Sequence, residues 1–416
     1  MGFTDKLQRP KKYVFWTWKW CFLGVLMGAI GGVLGAVFHH VLHFVTHLRL
    51  AHPWLVLLLP LGGLMSVVWY RLLKLRKNRG TNEIIDAVLD GEELKPQIVP
   101  GIFGAAILTH LFGGSAGREG AALQLGGSAA SILSKLLGLK RNSRRVLIMA
   151  GMSAVFAGLF GTPLTAALFC MEFESVGTIF SPALLPCYIA AFTASSVSGL
   201  LGVHAEGYLL ENAAVIGPGN IWAYLLLAVL LSLLGIAMVR IFHGAEHLAA
   251  HHIKSPWVRI FAGGALIAAM TWLVGDQRFN GAGMDMALEA VQGHSDWYSF
   301  LVKMLFTAVT LAAGFKGGEI VPTFCIGATF GCVVGGMLGL DPGLCGALGL
   351  IGLFCCATNS PLASIVLSIE MFGGANLHLF ALVCVICFVL SGSTGLYASQ
   401  IHQFDKASEL MPPRES

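Results

Sequence analysis

Two short glycine loops, GGSAGREG at residues 113–120 and GFKGGEIVP at residues 314–322, decide how this sequence folds. Each loop leads directly into an apolar segment typical of a membrane helix. The first N–H groups of a helix have no partner within it and lie at the positive end of its dipole, so they attract anions. Two such helix starts could face one site, which predicts an anion-binding centre between them.

The composition places these loops in a membrane. Of the 416 residues, 56% are hydrophobic and only 12% are charged, whereas a soluble domain carries about 25% charge. Apolar segments recur from residue 20 to residue 396, and many are short or interrupted by Gly or Pro. Irregular backbone at membrane depth survives only when it is buried in protein or lines a cavity. We therefore expect an all-α polytopic membrane protein with broken helices and the lipid bilayer as its partner; the net charge of +4 gives no nucleic-acid signature.

The two halves of the chain resemble each other. Pro163 and Glu172 recur as Pro361 and Glu370, at an offset close to 200 residues. Interrupted helices in matching places of two halves are typical of transporters built from inverted repeats. We expect Glu172 and Glu370 to anchor helix ends rather than to carry protons.

Charge predicts how the halves are oriented. The loop at 71–79 is rich in Lys and Arg, which places it in the cytoplasm, whereas the matching loop at 276–278 has one Arg. The two repeats therefore have opposite orientations. In this multi-pass cell-membrane protein we predict a cytoplasmic N-terminus at 1–19, a first membrane repeat at 20–206, a second at 207–402 and a cytoplasmic tail at 403–416.

The carboxylates in the two loops admit two interpretations each. Glu119 could occupy the anion site as a tethered competitor that is released when protonated, or it could cap its own helix and pair with Arg118. Glu319 could carry protons, or it could only form a salt bridge with Lys316. Ionisable residues inside a membrane are usually functional, which favours the first interpretation in both cases.

Several motifs together resemble the CLC family of chloride channels and anion/proton antiporters. They are GREG at 117–120 with Gln124, GEIVP at 318–322, and Tyr397 in GLYAS. The resemblance implies a homodimer in which each subunit has its own pore, with Glu119 as the gating glutamate. It identifies Tyr397 with the family's anion-coordinating tyrosine.

The predicted site combines the helix starts with these motifs. Glu119 and Glu319 are the predicted proton-handling residues. The predicted anion-binding residues are Gly80, Thr81, Asn82, Gly117, Arg118, Gly120, Ala121, Ile320, Val321 and Tyr397. The ligand is the transported halide, and we expect no cofactor. Two ladders, His39-His43-His47 and His243-His247-His251, have a spacing that suits metal ligation, but no carboxylate or Cys set completes a site, so no metal is predicted.

Departures from the family pattern bear on the ion. The family's first anion loop usually reads Gly-Ser-Gly-Ile-Pro, but here residues 79–84 read RGTNEI, without the serine that favours chloride or nitrate. Chloride/proton exchangers carry an internal glutamate where this chain has Phe173. Glu319 is similar to a glutamate of the fluoride/proton antiporter branch, although that branch also implies a methionine in the first anion loop and a threonine at position 321.

These observations predict transport of a small inorganic anion, fluoride or chloride, in exchange for protons. A passive chloride channel of the same fold is the alternative, supported by the missing glutamate at Phe173. An intramembrane enzyme using Glu119 or Glu319 is more distant, because the sequence contains no hydrolytic or metal constellation to complete it. The protein is thus not expected to be an enzyme.

Overall fold

α-Helices make up nearly all of the regular structure. The computed structural model describes residues 3–75, 79–204, 207–210, 214, 217–402 and 406, with side chains from residue 13 onward. The helices of the first half are α1 (Phe3–Ala51), α2 (Leu59–Leu72), α3 (Thr81–Asp90), α4 (Ile98–Leu111), α5 (Glu119–Leu136), α6 (Arg141–Phe160), α7 (Pro163–Glu172) and α8 (Leu184–Leu200).

The described residues of the second half form eight helices in a matching order. They are α9 (Ile221–His252), α10 (Pro256–Val274), α11 (Met284–Val291), α12 (Ser299–Ala313), α13 (Ile320–Met337), α14 (Pro342–Thr358), α15 (Pro361–Phe372) and α16 (Leu377–Leu390). Two 3₁₀ turns, Pro53–Leu58 and Ser181–Ala183, precede α2 and α8. Two residue pairs form the one small parallel sheet in the described part of the chain, with β1 (Ser175–Val176) beside β2 (Ile401–His402).

The packing repeats from one half to the other. Helix α1 contacts α6 and α8, just as α9 contacts α14 and α16; α5 packs on α6, just as α13 packs on α14. In the part of the chain that the structure describes, seven helices are long and apolar enough to cross a bilayer, and shorter apolar helices lie between them. The prediction of an all-α membrane protein with two inverted repeats and broken helices is confirmed.

Glycines let the central helices pack with their backbones in contact. A Cβ atom on Gly126 of α5 would lie 2.1 Å from the carbonyl oxygen of Gly151 in α6, and one on Gly327 of α13 would lie 2.3 Å from that of Gly349 in α14. Small residues allow this approach in membranes, where van der Waals packing drives helix association. The close packing holds α5 against α6 and α13 against α14.

Each repeat also caps a helix of the other. The carboxylate of Glu370 accepts hydrogen bonds from the backbone N–H groups of Leu164 (2.9 Å) and Thr165 (2.8 Å) at the start of α7. The carboxylate of Glu172 accepts from those of Leu362 (3.1 Å) and Ala363 (2.9 Å) at the start of α15. Both glutamates anchor helix starts in this way, which satisfies N–H groups that the helices leave open.

The structure adds detail to the predicted segments. Helix α1 runs through position 19, so no structural break separates an N-terminal segment from the first repeat. The short helices α3 and α11 are absent from the sequence prediction. Of the predicted tail at 403–416, all but Lys406 lies outside the described residues, as do Arg76 and Lys77 of the basic loop.

Candidate functional site

The two glycine loops meet in the middle of the molecule. Gly117 and Gly318 form an antiparallel bridge in which the N–H of each donates to the carbonyl oxygen of the other at 2.7 Å. A Cβ atom on Gly120 would lie 3.3 Å from the Cα of Gly318. The starts of α5 and α13 are therefore in direct contact, one from each repeat.

The carboxylate of Glu119 lies between these two helix starts. It is completely buried. Oε1 accepts a hydrogen bond from the N–H of Arg118 at 3.0 Å, and Oε2 accepts one from the N–H of Val321 at 3.3 Å. A negatively charged side chain thus binds backbone donors from both repeats, where a small anion would find the same donors. The contact with Arg118 is a local cap, but the contact with Val321 spans the repeat interface.

Not every predicted backbone donor is available to an anion. The N–H of Gly117 donates to Gly318 in the bridge, so its role is to join the loops. Gly120, Ala121 and Ile320 are buried in the first turns of α5 and α13. Their N–H groups lie at helix positions that lack intrahelical acceptors.

The predicted first anion loop lies against the start of α5. Gly80 has a left-handed conformation (φ +65°) immediately before α3. The hydroxyl oxygen of Thr81 lies 3.1 Å from where a Cβ on Gly120 would be. The side-chain oxygen of Asn82 accepts a hydrogen bond from the N–H of Ser399 at 3.0 Å. The structure therefore brings this loop, the start of α5 and the segment around Tyr397 together.

The Tyr397 hydroxyl is buried and has no hydrogen-bond partner among the described residues. Its ring packs edge-on against Phe173, with the ring centroids 5.7 Å apart. A buried hydroxyl without a partner costs free energy, so it indicates a group that is absent from the structure. An anion at this place would be such a group.

A cavity of about 700 Å³ opens beside this cluster. Gly80, Thr81, Asn82 and Tyr397 line it, and so does Glu319. In the described structure Lys316 forms no ion pair with Glu319. Its ammonium group instead lies 5.1 Å from the centre of the Tyr70 ring. Glu319 therefore faces open space, whereas Glu119 is enclosed.

Arg118 is the predicted site residue whose side chain lies elsewhere. Its guanidinium is 3.2 Å from Nδ1 of His39 and lies over the ring of Phe160 at 5.1 Å. Because the arginine does not line the cavity, its contribution to the predicted site is its backbone N–H.

Phe173 fills the place where the sequence lacks a glutamate. It is fully buried and stacks on Phe169, with the ring centroids 5.1 Å apart. The next residue, Glu174, was missed by the sequence analysis. It is 2% exposed and forms an ion pair with Arg145 at 2.6 Å. This carboxylate is already held by a positive charge, so Glu174 does not resemble a free proton carrier.

Two further polar groups near the site are not predicted from the sequence. Lys303 is fully buried and donates hydrogen bonds to the carbonyl oxygens of Phe279 (3.1 Å) and Gly281 (2.7 Å). Glu246 of α9 lines the cavity between two residues of the second histidine ladder. The spacing of His243, His247 and His251 identifies this face of α9 in the sequence, and Glu246 lies on the same face.

The histidines of each ladder lie along one face of a helix, the first set on α1 and the second on α9. Nε2 of His43 and Nε2 of His47 are 3.0 Å apart, and the rings of His247 and His251 are stacked 6.3 Å apart. No group of three or more His, Cys, Asp or Glu residues in the described part of the chain could hold a metal ion. Nine of the ten cysteines are buried and all are free thiols.

Fold and site together define a membrane protein with two inverted repeats. The repeats meet where α5 and α13 begin, and the backbone N–H groups there could bind an anion. The model of the voltage gated chloride channel family matches residues 61–392. A relative described as a chloride/fluoride channel protein, from Pseudomonas syringae pv. tomato, is 36% identical over 359 residues, which cover 85% of this chain and 79% of the relative. The chain belongs to the voltage gated chloride channel, or CLC, family.

Solved structures agree with this assignment. The crystal structure of a CLC-type fluoride/proton antiporter superposes with a TM-score of 0.89 at 30% identity, covering 92% of this chain and 98% of that one. A slow cyanobacterial Cl⁻/H⁺ antiporter has the same fold, with a TM-score of 0.75 at 20% identity over 89% of this chain and 94% of its own.

Proposed function

We propose that this protein moves a small halide, with fluoride favoured over chloride, across the membrane in exchange for protons. One observation carries the proposal. The Glu119 carboxylate accepts hydrogen bonds from the N–H groups of Arg118 and Val321, one on each repeat. A carboxylate and a halide compete for such donors, so one must leave before the other binds. That competition links proton binding to anion binding.

The exchange follows from the charge of Glu119. When ionised, the carboxylate occupies the helix-start donors and excludes the anion. When protonated, it loses most of its attraction to the helix dipoles, moves away and leaves the donors to the anion. The anion is then held by the N–H groups of Arg118 and Val321 that Glu119 has left. The neighbouring N–H groups of Gly120, Ala121 and Ile320 and the hydroxyl of Tyr397 complete its shell. Glu319 serves as the second proton stop, between Glu119 and the cavity.

Fluoride is favoured by the first loop and by the relatives. Residues 80–82 contain no serine at the place that favours chloride or nitrate in the family. The description of the relative from Pseudomonas syringae pv. tomato names both chloride and fluoride. That of the antiporter structure at 30% identity names fluoride as its only anion. Glu319 adds a carboxylate at the second helix start, which suits proton transfer beside the anion.

Proteoliposomes test this function through Glu119→Gln. We expect wild-type protein to move protons against a fluoride gradient, and the variant to conduct fluoride without coupled proton movement. Fluoride electrodes and a pH-sensitive dye report the two fluxes. Glu289→Gln, an exposed acid of α11 outside the cavity, is the matched control. Unchanged coupled proton movement in Glu119→Gln would rule out the gating role.

A passive chloride channel is the second candidate, and Phe173 is the observation that favours it. The residue is buried between aromatic rings and has no proton to transfer. Reversal potentials distinguish the candidates, because a passive channel ignores a pH gradient and an exchanger does not. An enzymatic role is not proposed, since the family consists of channels and transporters.

For the assembly we propose a homodimer in the cell membrane, with both termini in the cytoplasm. The support is the family resemblance and the basic loop that includes Arg71, Lys74 and Arg79. Light scattering of the purified protein in detergent would give the mass of two copies, each of 44.2 kDa. Labelling of cysteines introduced next to either terminus would report its side of the membrane.

A further inference from the structure

One wall of the cavity carries ionisable groups that the proposed mechanism does not use. His243, Glu246 and His247 lie on one face of α9, at helical spacings of three and four residues. All three are exposed, and the same cavity reaches Glu319. Ionisable side chains in a membrane helix mark ion or proton pathways by default.

Glu246 lines the same cavity as Glu319 and Lys316. A cavity of this size, lined by charged and polar side chains, can hold water. The titratable and charged groups around this mouth are His243, His247, Arg79, Glu83, Arg259, Lys316 and Glu319. The mouth therefore carries groups of both signs.

His243 is held with one nitrogen free to accept a proton. Its Nε2 lies 3.1 Å from the carbonyl oxygen of Leu396. A carbonyl oxygen only accepts hydrogen bonds, so Nε2 carries the hydrogen and Nδ1 is the basic nitrogen of the neutral ring. Leu396 directly precedes Tyr397. The hydrogen bond from His243 therefore connects this part of α9 to the predicted anion site.

The alternative route to Glu319 has no available carboxylate. In the stretch 172–174, Glu172 caps α15, Phe173 has no ionisable group, and Glu174 is paired with Arg145. Protons that reach Glu319 must therefore come from another side of it. In the described structure, the α9 wall of the cavity offers an open carboxylate.

We propose that Glu246, supported by His243 and His247, takes up protons from solution at this mouth and passes them to Glu319. The step rests on the proposed exchange function. The Glu246 carboxylate accepts a proton from a hydronium ion at the mouth, which leaves a water molecule, and becomes a carboxylic acid. It gives that proton, through water in the cavity, to the ionised Glu319 and returns to its carboxylate form. Glu246 is a proton-positioning residue and does not bind the anion.

Paired flux measurements on full-length protein in liposomes test this step. Glu246→Gln is expected to lower fluoride-coupled proton flux about tenfold, with a larger loss at alkaline pH on the α9 side, where protons are scarce. Glu246→Asp should recover most of the flux, because it keeps the carboxylate. His247→Asn should have a smaller effect in the same direction. Glu289→Gln, exposed and outside the cavity, should match wild type.

Combining Glu246→Gln with Glu119→Gln distinguishes an effect on proton delivery from an effect on anion permeation. In Glu119→Gln protein the fluoride leak is uncoupled, so adding Glu246→Gln should leave that leak unchanged. An equal fall of the leak would place Glu246 in the anion path and overturn the inference. Wild-type proton flux in Glu246→Gln at every pH would also overturn it. So would loss of coupling in Glu174→Gln alone.

The proposed function can fail separately. If the wild-type protein moves fluoride with no proton movement, the exchange proposal falls and this inference falls with it. If the wild type couples the two ions and Glu246→Gln does so equally well, only the inference falls.

Discussion

The loop before α5 and the loop before α13 share a backbone arrangement and differ in their charges. Helix α5 begins at Glu119 after Arg118, and α13 begins at Ile320 after Glu319. Arg118 and Glu319 thus occupy equivalent positions, one a cation directed at His39 and the other an acid lining the cavity. The repeat supplies two similar helix starts, and opposite side chains give the two faces of the site different chemistry.

The strongest way to break this arrangement is to separate the two loops. In Gly318→Ala, the new Cβ would lie 2.7 Å from the backbone nitrogen of Gly120 and 2.6 Å from Oε2 of Glu119. Backbone cannot move aside cheaply, so we expect both fluoride and proton flux to fall about 100-fold. Gly199→Ala on α8, with open space around it, is the control for liposome flux. Retention of flux in Gly318→Ala would show that the loops need not touch.

The next prediction distinguishes Glu119 from Glu319 by the ion flux that each Gln variant loses. Glu319→Gln should lower proton flux about 100-fold, because a proton stop is removed, while fluoride exchange without net proton movement persists. Glu119→Gln should instead give an open fluoride leak. Simultaneous recording of both ions in liposomes distinguishes them. Identical flux patterns in the two variants would contradict the different roles assigned to the two loops.

Glu172 and Glu370, which cap helices of the opposite repeat, should contribute equally to stability, whereas the two glycine loops differ in their roles. Glu172→Ala and Glu370→Ala each leave two backbone N–H groups without acceptors, and each should cost about 3 kcal/mol of stability. Unfolding of purified protein in detergent would measure the two losses side by side. The two values should agree within about 1 kcal/mol. A large loss in only one of them would mean that the repeats are not energetically equivalent at this point.

The smallest expected effect concerns the tyrosine that only the second repeat contributes. Tyr397→Phe removes one hydroxyl and should weaken fluoride binding about fivefold, the value of a single hydrogen bond of about 1 kcal/mol. Isothermal titration with fluoride measures it. Tyr188→Phe, whose ring stacks on Phe192 in α8, is the matched control. Equal affinities for Tyr397→Phe and wild type would remove Tyr397 from the binding site.

Much of this architecture follows from sequence because glycine and proline break helices in a regular way. The paired glycine loops, and Pro163 and Pro361 at the first positions of α7 and α15, mark where helices start inside the membrane. The repeat then implies that the two starts face each other. Local rules of this kind do not need knowledge of distant contacts.

What the sequence did not reveal depends on contacts between distant residues. The bridge that takes up the N–H of Gly117 joins residues 201 positions apart, Gly117 and Gly318, and no local pattern predicts it. Helices α3 and α11 are short and amphipathic, so a search for apolar spans passes over them. Glu246 and Glu319 are 73 positions apart in the sequence, and only the folded chain brings both to the same cavity.

The reciprocal caps have a consequence for how the chain is made. The N–H groups of Leu164 and Thr165 stay open until Glu370, 205 residues beyond Thr165, has left the ribosome. A first half synthesised alone therefore has a buried helix start without acceptors in an environment that contains little water. The two halves complete each other during biosynthesis, and a chain interrupted between them should become stable only when the missing half is supplied in the same membrane.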